Sequence, residues 1–180
     1  MHKSTRSKKI PTMVAVTIVG GDDAMYRALN KAIQRENRKR IARDEVGDEW
    51  YHIPRGKCQN PSCGRIHRML PDFLLPYKHY KEEVISGVLD GVVTSDDLDS
   101  EDRPSQASMD RWILWFILNR LNIEGYLRSN AYRELDYTEE VFTSGRSLLD
   151  KFRRSSHGAW LCAVIRIIYN SGGFLPAVCA

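Results

Sequence analysis

No stretch of this chain approaches the roughly 20 consecutive apolar residues of a membrane-spanning helix, so no membrane partner is expected. The apolar run Met13–Val19, which follows the basic N-terminal residues, is too short for the core of a secretory signal. Cysteine is scarce, with 4 in 180 residues and none before Cys58. Two lie close together, and Cys162 and Cys179 lie far downstream. That spacing does not suit the disulfide framework of a small secreted domain and points to a reducing cytoplasm. A phosphate-cradling glycine loop, a nucleophile elbow and a His-Glu-x-x-His helix are all missing, as are internal repeats. The expectation is a soluble, cytoplasmic protein that is not an enzyme.

What is present is charge, unevenly placed. The formal net charge is only +4, but Lys3, Arg6, Lys8 and Lys9, then Arg35, Arg38, Lys39, Arg40 and Arg43, gather early. Carboxylates gather later, from Glu82 to Asp102. A positive front end suits a polyanion, although solvated helix faces and tails produce the same counts. With 42% hydrophobic side chains, the chain can bury one core or two small ones.

Periodicity orders the elements. Met13–Val19 is rich in β-branched residues and stops at Gly20-Gly21, which predicts a strand and a turn. Ala24–Arg43 carries Met25, Leu29, Ala32, Ile33 and Ile41 at near-helical spacing, which predicts a basic amphipathic helix. Glu49–Ile53 predicts a strand leading into a cysteine turn, with Arg65–Leu70 returning as its partner. Helices are predicted over Tyr77–Asp90, ended by Gly91, and over Gln106–Leu121, capped by Ser105, with one short helical turn in the polar segment Thr94–Asp102. Further helices fit Ile123–Asn130, Thr138–Arg153 and Ser156–Tyr169. The expected fold class is α+β and mainly helical. A basic disordered tail covers 1–12, a strand, basic helix and zinc-ribbon-like region 13–76, and a helical, helix-turn-helix-like region 77–180.

Residues 58–67 read Cys58-Gln59-Asn60-Pro61-Ser62-Cys63-Gly64-Arg65-Ile66-His67. Two thiols flank a turn bent by Pro61 and Gly64, and His67 follows at knuckle-like spacing, giving three of the four ligands of a tetrahedral zinc site. The fourth is His52, or one of the distant Cys162 and Cys179. Such a zinc would serve folding. The alternative is a metal-free turn in which Cys63 packs as a small apolar residue and His67 bonds a backbone carbonyl.

The order helix, acidic segment, Pro104-Ser105, helix approximates a helix-turn-helix, with Gln106–Leu121 entering the major groove N-terminus first. Gln106 and Ser108 would exchange hydrogen bonds with base edges, and Arg111 would reach guanine or phosphate. Against this, Asp110 and the acidic residues Asp96, Asp97, Asp99, Glu101 and Asp102 would repel phosphates on the same side. The plainer reading is a helical hairpin with Trp112, Trp115 and Phe116 as core. The carboxylates crowd one loop rather than separate strands, which does not suit a two-metal nuclease.

The run from Cys58 to His67, then Leu70-Pro71-Asp72, then Pro76-Tyr77-Lys78-His79-Tyr80, resembles a family of bacterial proteins associated with transposons and other mobile elements. Their shared region is a domain of unknown function, similar to the zinc-ribbon plus helix-turn-helix N-terminal part of insertion-sequence transposases. The resemblance covers roughly Trp50 to Phe116, more weakly on to Phe174. Family-like sequences carry an upstream Cys-x-x-Cys that completes the ribbon, which residues 1–57 lack. The resemblance therefore implies a DNA-binding ancestry more than a bound zinc.

Together these readings predict a DNA-binding, transposase-related accessory or regulatory factor. Phosphate contacts would come from Arg35, Arg38, Lys39, Arg40 and Arg43, base contacts from Gln106, Ser108 and Arg111, and zinc ligation from Cys58, Cys63, His67 and His52. The alternative is a protein-interaction module, such as an inhibitor of a nucleic-acid enzyme, whose segment Asp96–Asp102 mimics phosphates. A third possibility, a partner subunit of a transposase, would be marked by a dimer interface on the Trp112, Trp115 and Phe116 face.

Overall fold

Asp48–Ile53 sets Tyr51 and Ile53 into the core, each 3% exposed, while Trp50 and His52 face outward, the two-residue period of a half-buried strand. The computed structural model describes residues 15–19, 38–57, 66–97, 104–134, 147–155 and 160–177. Among the described residues the strands are β1 (Ala15–Val19), β2 (Arg38–Arg43), β3 (Asp48–Ile53), β4 (Arg55–Lys57) and β5 (Ile66–Pro71). β2 and β3 pair antiparallel, with Arg38 opposite Ile53 and Arg43 opposite Asp48. In the second sheet β5 is central, parallel to β1 and antiparallel to β4.

The basic helix expected over Ala24–Arg43 is corrected at its end. Arg38–Arg43 is strand, and 24–37 lie outside the described residues. The hairpin prevails because the Asp44 carboxylate accepts the N–H groups of Val46 at 2.8 Å and Gly47 at 3.1 Å, closing the turn between β2 and β3. Arg43 is also anchored on its other side. Its N–H donates to His79 O and its carbonyl accepts from Lys81 N, both at 2.9 Å. The antiparallel partner of β5 is β4 rather than β3. Pro54 has no N–H to give a ladder and separates β3 from β4, while its carbonyl accepts from Met69 N at 3.0 Å.

The described helices are α1 (Glu82–Leu89), α2 (Gln106–Glu134), α3 (Leu148–Ser155) and α4 (Trp160–Asn170). Residues Tyr77–Lys81, expected in the first helix, form a turn and bridges instead. Two expected helices fuse into α2, 29 residues long. Both α1 and α4 end on a left-handed glycine, Gly91 at φ 73° and Gly172 at φ 83°. In each case the residue after that glycine donates back to a carbonyl of the last turn: Val92 N to Gly87 O and Gly173 N to Ile168 O, both at 2.8 Å.

α2 is the spine of the core and packs against α1, α3 and α4. Its Met109, Trp112, Phe116, Asn119, Ile123 and Leu127 recur every three or four residues and are buried, as are Trp160, Leu161 and Ile165 of α4. Burying each such apolar side chain contributes about 1.5–3 kcal/mol. The Phe116 and Trp160 rings meet edge to face, 5.7 Å apart at 66°. The aromatic stripe is therefore interior, which removes it as a dimer interface. Ile113, Leu114, Ile117, Leu118 and Leu121 face outward from the other side of α2.

Carboxylates tie the helices together. Glu124 on α2 accepts the first N–H groups of α3, from Leu148 at 2.9 Å and Leu149 at 3.1 Å. Buried Glu82 in α1 faces Leu161 and Cys162 at the start of α4, with its Oε1 left without a hydrogen bond. The architecture is α+β, with a two-stranded antiparallel sheet before the helices.

Candidate anion-binding cleft

The cleft is built on a tight turn, Leu75-Pro76-Tyr77-Lys78. Lys78 N donates to Leu75 O at 3.2 Å, Pro76 fixes its own φ, and Tyr77 takes φ 64°. This is the arrangement of a type II turn, whose third position ordinarily holds glycine. For tyrosine the left-handed conformation costs about 1–2 kcal/mol. Arg40 of β2 holds the turn in place, its guanidinium donating to the carbonyl oxygens of both Leu75 and Lys78. The Tyr77 side chain is left 57% exposed between two cavities.

The larger cavity, about 570 Å³, lies between this turn and the start of α2. Arg43, Lys78 and Arg111 line it with the hydroxyls of Ser105 and Ser108, and Trp112 and Trp115 form apolar wall. The smaller, about 250 Å³, is lined by Lys39, Arg40 and Arg68 beside Ile53 and Leu70. The two share Pro76, Tyr77 and His79. Among the described residues, neither lining includes an aspartate or a glutamate.

The cations feel one another. Burial and then the charge of Arg111 hold the Lys78 ammonium below its ordinary range, and its Nζ sits 4.8 Å over the Trp115 ring. Partial burial, then Arg40 and Arg43, hold the His79 imidazole below its usual value. The Nε of Arg68 is buried without a hydrogen bond. Arg43 is engaged, 3.0 Å from Asp48 Oδ1 and with its guanidinium 5.9 Å from the Tyr80 ring centroid. That ion pair is well exposed and contributes little to stability.

The sequence-predicted phosphate and base contacts are partly brought together. Lys39 and Arg40 line the smaller cavity, and Arg43, Ser108 and Arg111 the larger. Arg111 donates to Ala107 O at 2.9 Å and to Ser108 Oγ at 3.3 Å, and Ser108 Oγ lies 3.1 Å from Ser105 Oγ. Gln106, in the same first turn of α2, bonds Asp110 at 2.7 Å and lines neither cavity. Arg38 lies opposite Ile53 in β2, and Arg35 falls outside the described residues. Of the acidic segment, only Asp96 and Asp97 are described, in a short 3-10 turn at Ser95–Asp97. Sequence reasoning missed Arg68, Lys78 and His79, although the pair Lys78-His79 stands inside the run Pro76–Tyr80 that carries the resemblance.

Of the expected zinc ligands, Cys58 and Cys63 lie outside the described residues, while His52 sits on β3 and His67 on β5, in different sheets. Among the described residues no group of three or more His, Cys, Asp or Glu is arranged to hold a metal. Of the alternative fourth ligands, Cys179 lies outside the described residues, and Cys162 lies on α4, where burial and then the neighbouring Glu82 carboxylate push its thiol up.

Residues 29–112 match the family described as a domain of unknown function (DUF6431). The match contains every cationic residue of both cavities, from Lys39 to Arg111. No curated protein and no solved structure matches the chain. No described helix is long and apolar enough to cross a membrane.

Proposed function

We propose that this protein binds DNA, with phosphates meeting the cationic cleft between β2, the Tyr77 turn and the start of α2. The observation that supports this reading is the pair of adjoining cavities, lined by Lys39, Arg40 and Arg68 on one side and Arg43, Lys78 and Arg111 on the other, with no lining carboxylate among the described residues. Cations this close raise one another's energy, and a polyanion relieves that cost along its length. Gln106, Ser108 and Arg111 at the start of α2 reach base edges or phosphates in a helix-turn-helix mode of docking. The resemblance to mobile-element proteins supplies the setting, an accessory or regulatory factor related to transposition. A structural zinc on Cys58, Cys63, His67 and His52 belongs to the same reading, and metal content of the purified protein tests it.

The deciding experiment is a duplex titration at two salt concentrations. With about four phosphates neutralised, raising salt from about 50 to 200 mM weakens binding about a hundredfold. Replacing Lys39 and Arg111 with glutamate weakens it further and flattens the salt slope. Absent binding, or binding indifferent to salt, overturns the proposal.

A further inference from the structure

We infer that the larger cavity is a subsite for a single unpaired nucleotide, with its phosphate on Lys78 and Arg111 and its base against the aromatic wall. The inference deepens the DNA-binding reading and rests on it for the ligand's class. At about 570 Å³ the cavity falls in the size range of small-molecule sites and is too small for a duplex.

Its lining has two chemistries. On one side Lys78, Arg111, Ser105 and Ser108 offer charge-assisted and hydroxyl hydrogen bonds to a phosphate. On the other the exposed Tyr77 ring and the half-buried Tyr80 ring offer aromatic surface to a base, with the nearly buried Trp112 and Trp115 contributing apolar wall. A bare phosphate leaves the aromatic wall unused, and an apolar ligand leaves Lys78 and Arg111 without a counter-charge. A nucleotide satisfies both.

Two further observations agree. Tyr77 is held in a left-handed conformation that glycine would adopt without strain, and Arg40 is committed to maintaining it, so the ring is displayed at a conformational cost. The Lys78 ammonium, disfavoured first by burial and then by Arg111, is stabilised by a phosphate placed between the two cations.

The same chemistry could come from a free mononucleotide or from an unpaired end of a DNA strand, and the test separates them. Intrinsic tryptophan fluorescence is titrated with 5′-dAMP, inorganic phosphate and deoxyadenosine, using the full chain and the variants Arg111→Ala, Lys78→Ala and, as a control exposed on α3 and lining neither cavity, Arg154→Ala. Circular dichroism confirms folding of each variant; Arg111 is exposed, so its loss spares the core. Saturable quenching by 5′-dAMP is expected, tighter than by either fragment, weakened about tenfold or more in Arg111→Ala and Lys78→Ala and unchanged in Arg154→Ala.

Blunt duplex is then compared with duplex carrying one unpaired 5′ nucleotide. Preference for the overhang, lost in Arg111→Ala, identifies the strand end as the source, whereas equal binding with competition by 5′-dAMP identifies the free nucleotide. No saturable response to about 10 mM 5′-dAMP, or equal affinity in wild type and Arg111→Ala, overturns the inference. If that failure accompanies salt-sensitive duplex binding, the DNA reading stands without the subsite. If 5′-dAMP binds and duplex does not, the subsite stands and the DNA reading falls.

Discussion

The indole N–H of Trp160 donates to Asp90 Oδ2 at 2.8 Å, joining the end of α1 to the start of α4. Arg153 of α3 completes the junction, donating to Asp90 Oδ1 at 2.9 Å and to Leu89 O at 2.9 Å, with its guanidinium 5.1 Å from the Trp160 ring centroid. Asp90→Ala strands a buried indole N–H and is expected to cost about 2 kcal/mol in urea unfolding. Asp90→Asn, which keeps an accepting oxygen, is expected to cost less. Equal losses in the two variants would assign the effect to the Arg153 ion pair instead.

Tyr77→Gly releases the strain of a left-handed tyrosine. Stability is expected to rise by about 1 kcal/mol while affinity for the cleft's ligand falls. Calorimetry on the free protein reads the first effect, and a destabilised variant would show that the tyrosine ring is structural.

Glu124 and Glu82 are expected to bend the pH profile of stability in opposite directions. Burial disfavours the Glu124 charge, but hydrogen bonds from Leu148, Leu149 and Ser147, with Arg128 nearby, outweigh it, so its carboxyl lies below the ordinary 4.5. The unfolded chain then takes up the proton first, and this stabilisation is present above 4.5 and lost as pH falls through the folded value. For Glu82, burial exceeds the opposing hydrogen bonds from Cys162, Ser86 and Leu161, and its carboxyl is pushed up. Its contribution is present below 4.5 and lost as pH rises through the folded value. Thermal midpoints between about pH 3 and 8 should show Glu124→Gln flattening the acid limb and Glu82→Gln removing the loss at higher pH. Profiles parallel to wild type would contradict both assignments.

A Cβ on Gly173 would stand 2.6 Å from Tyr126 Cε1 and 2.8 Å from Ile168 O. The carbonyl cannot retreat without opening the end of α4, so Gly173→Ala is expected to cost about 2 kcal/mol, lowering Tm by about 4–8 °C. An unchanged midpoint would mean that the Tyr126 ring and the chain end move aside freely.

The strand at Asp48–Ile53 and the buried Trp112, Trp115 and Phe116 were legible because each repeats a burial period within one element. β2 was not, because among the described side chains of Arg38–Arg43 only Ala42 is fully buried, and its pairing is decided by β3 and by the backbone of His79 and Lys81. The unity of α2 was not legible either: the predicted helices Gln106–Leu121 and Ile123–Asn130 divide at Asn122, which the helix runs straight through. Within it Asn119 and Asn130 donate back to carbonyls four residues earlier, Trp115 O at 2.8 Å and Tyr126 O at 2.9 Å. In the cleft, Lys39, Arg43 and Arg111 stood out as charges, but only the turn after β5 brings Lys78 among them.

β1 lies against α4, and every other described element stands between them in sequence. On the ribosome, Ala15–Val19 is therefore made roughly 7 to 30 seconds before the helix that covers it, at typical elongation rates. β5 emerges early enough to pair with β1, but the face that α4 covers must wait. A nascent chain arrested before Trp160 leaves β1 without the helix that lies against it, an invitation to chaperones, and the first of the described strands is among the last to be sealed.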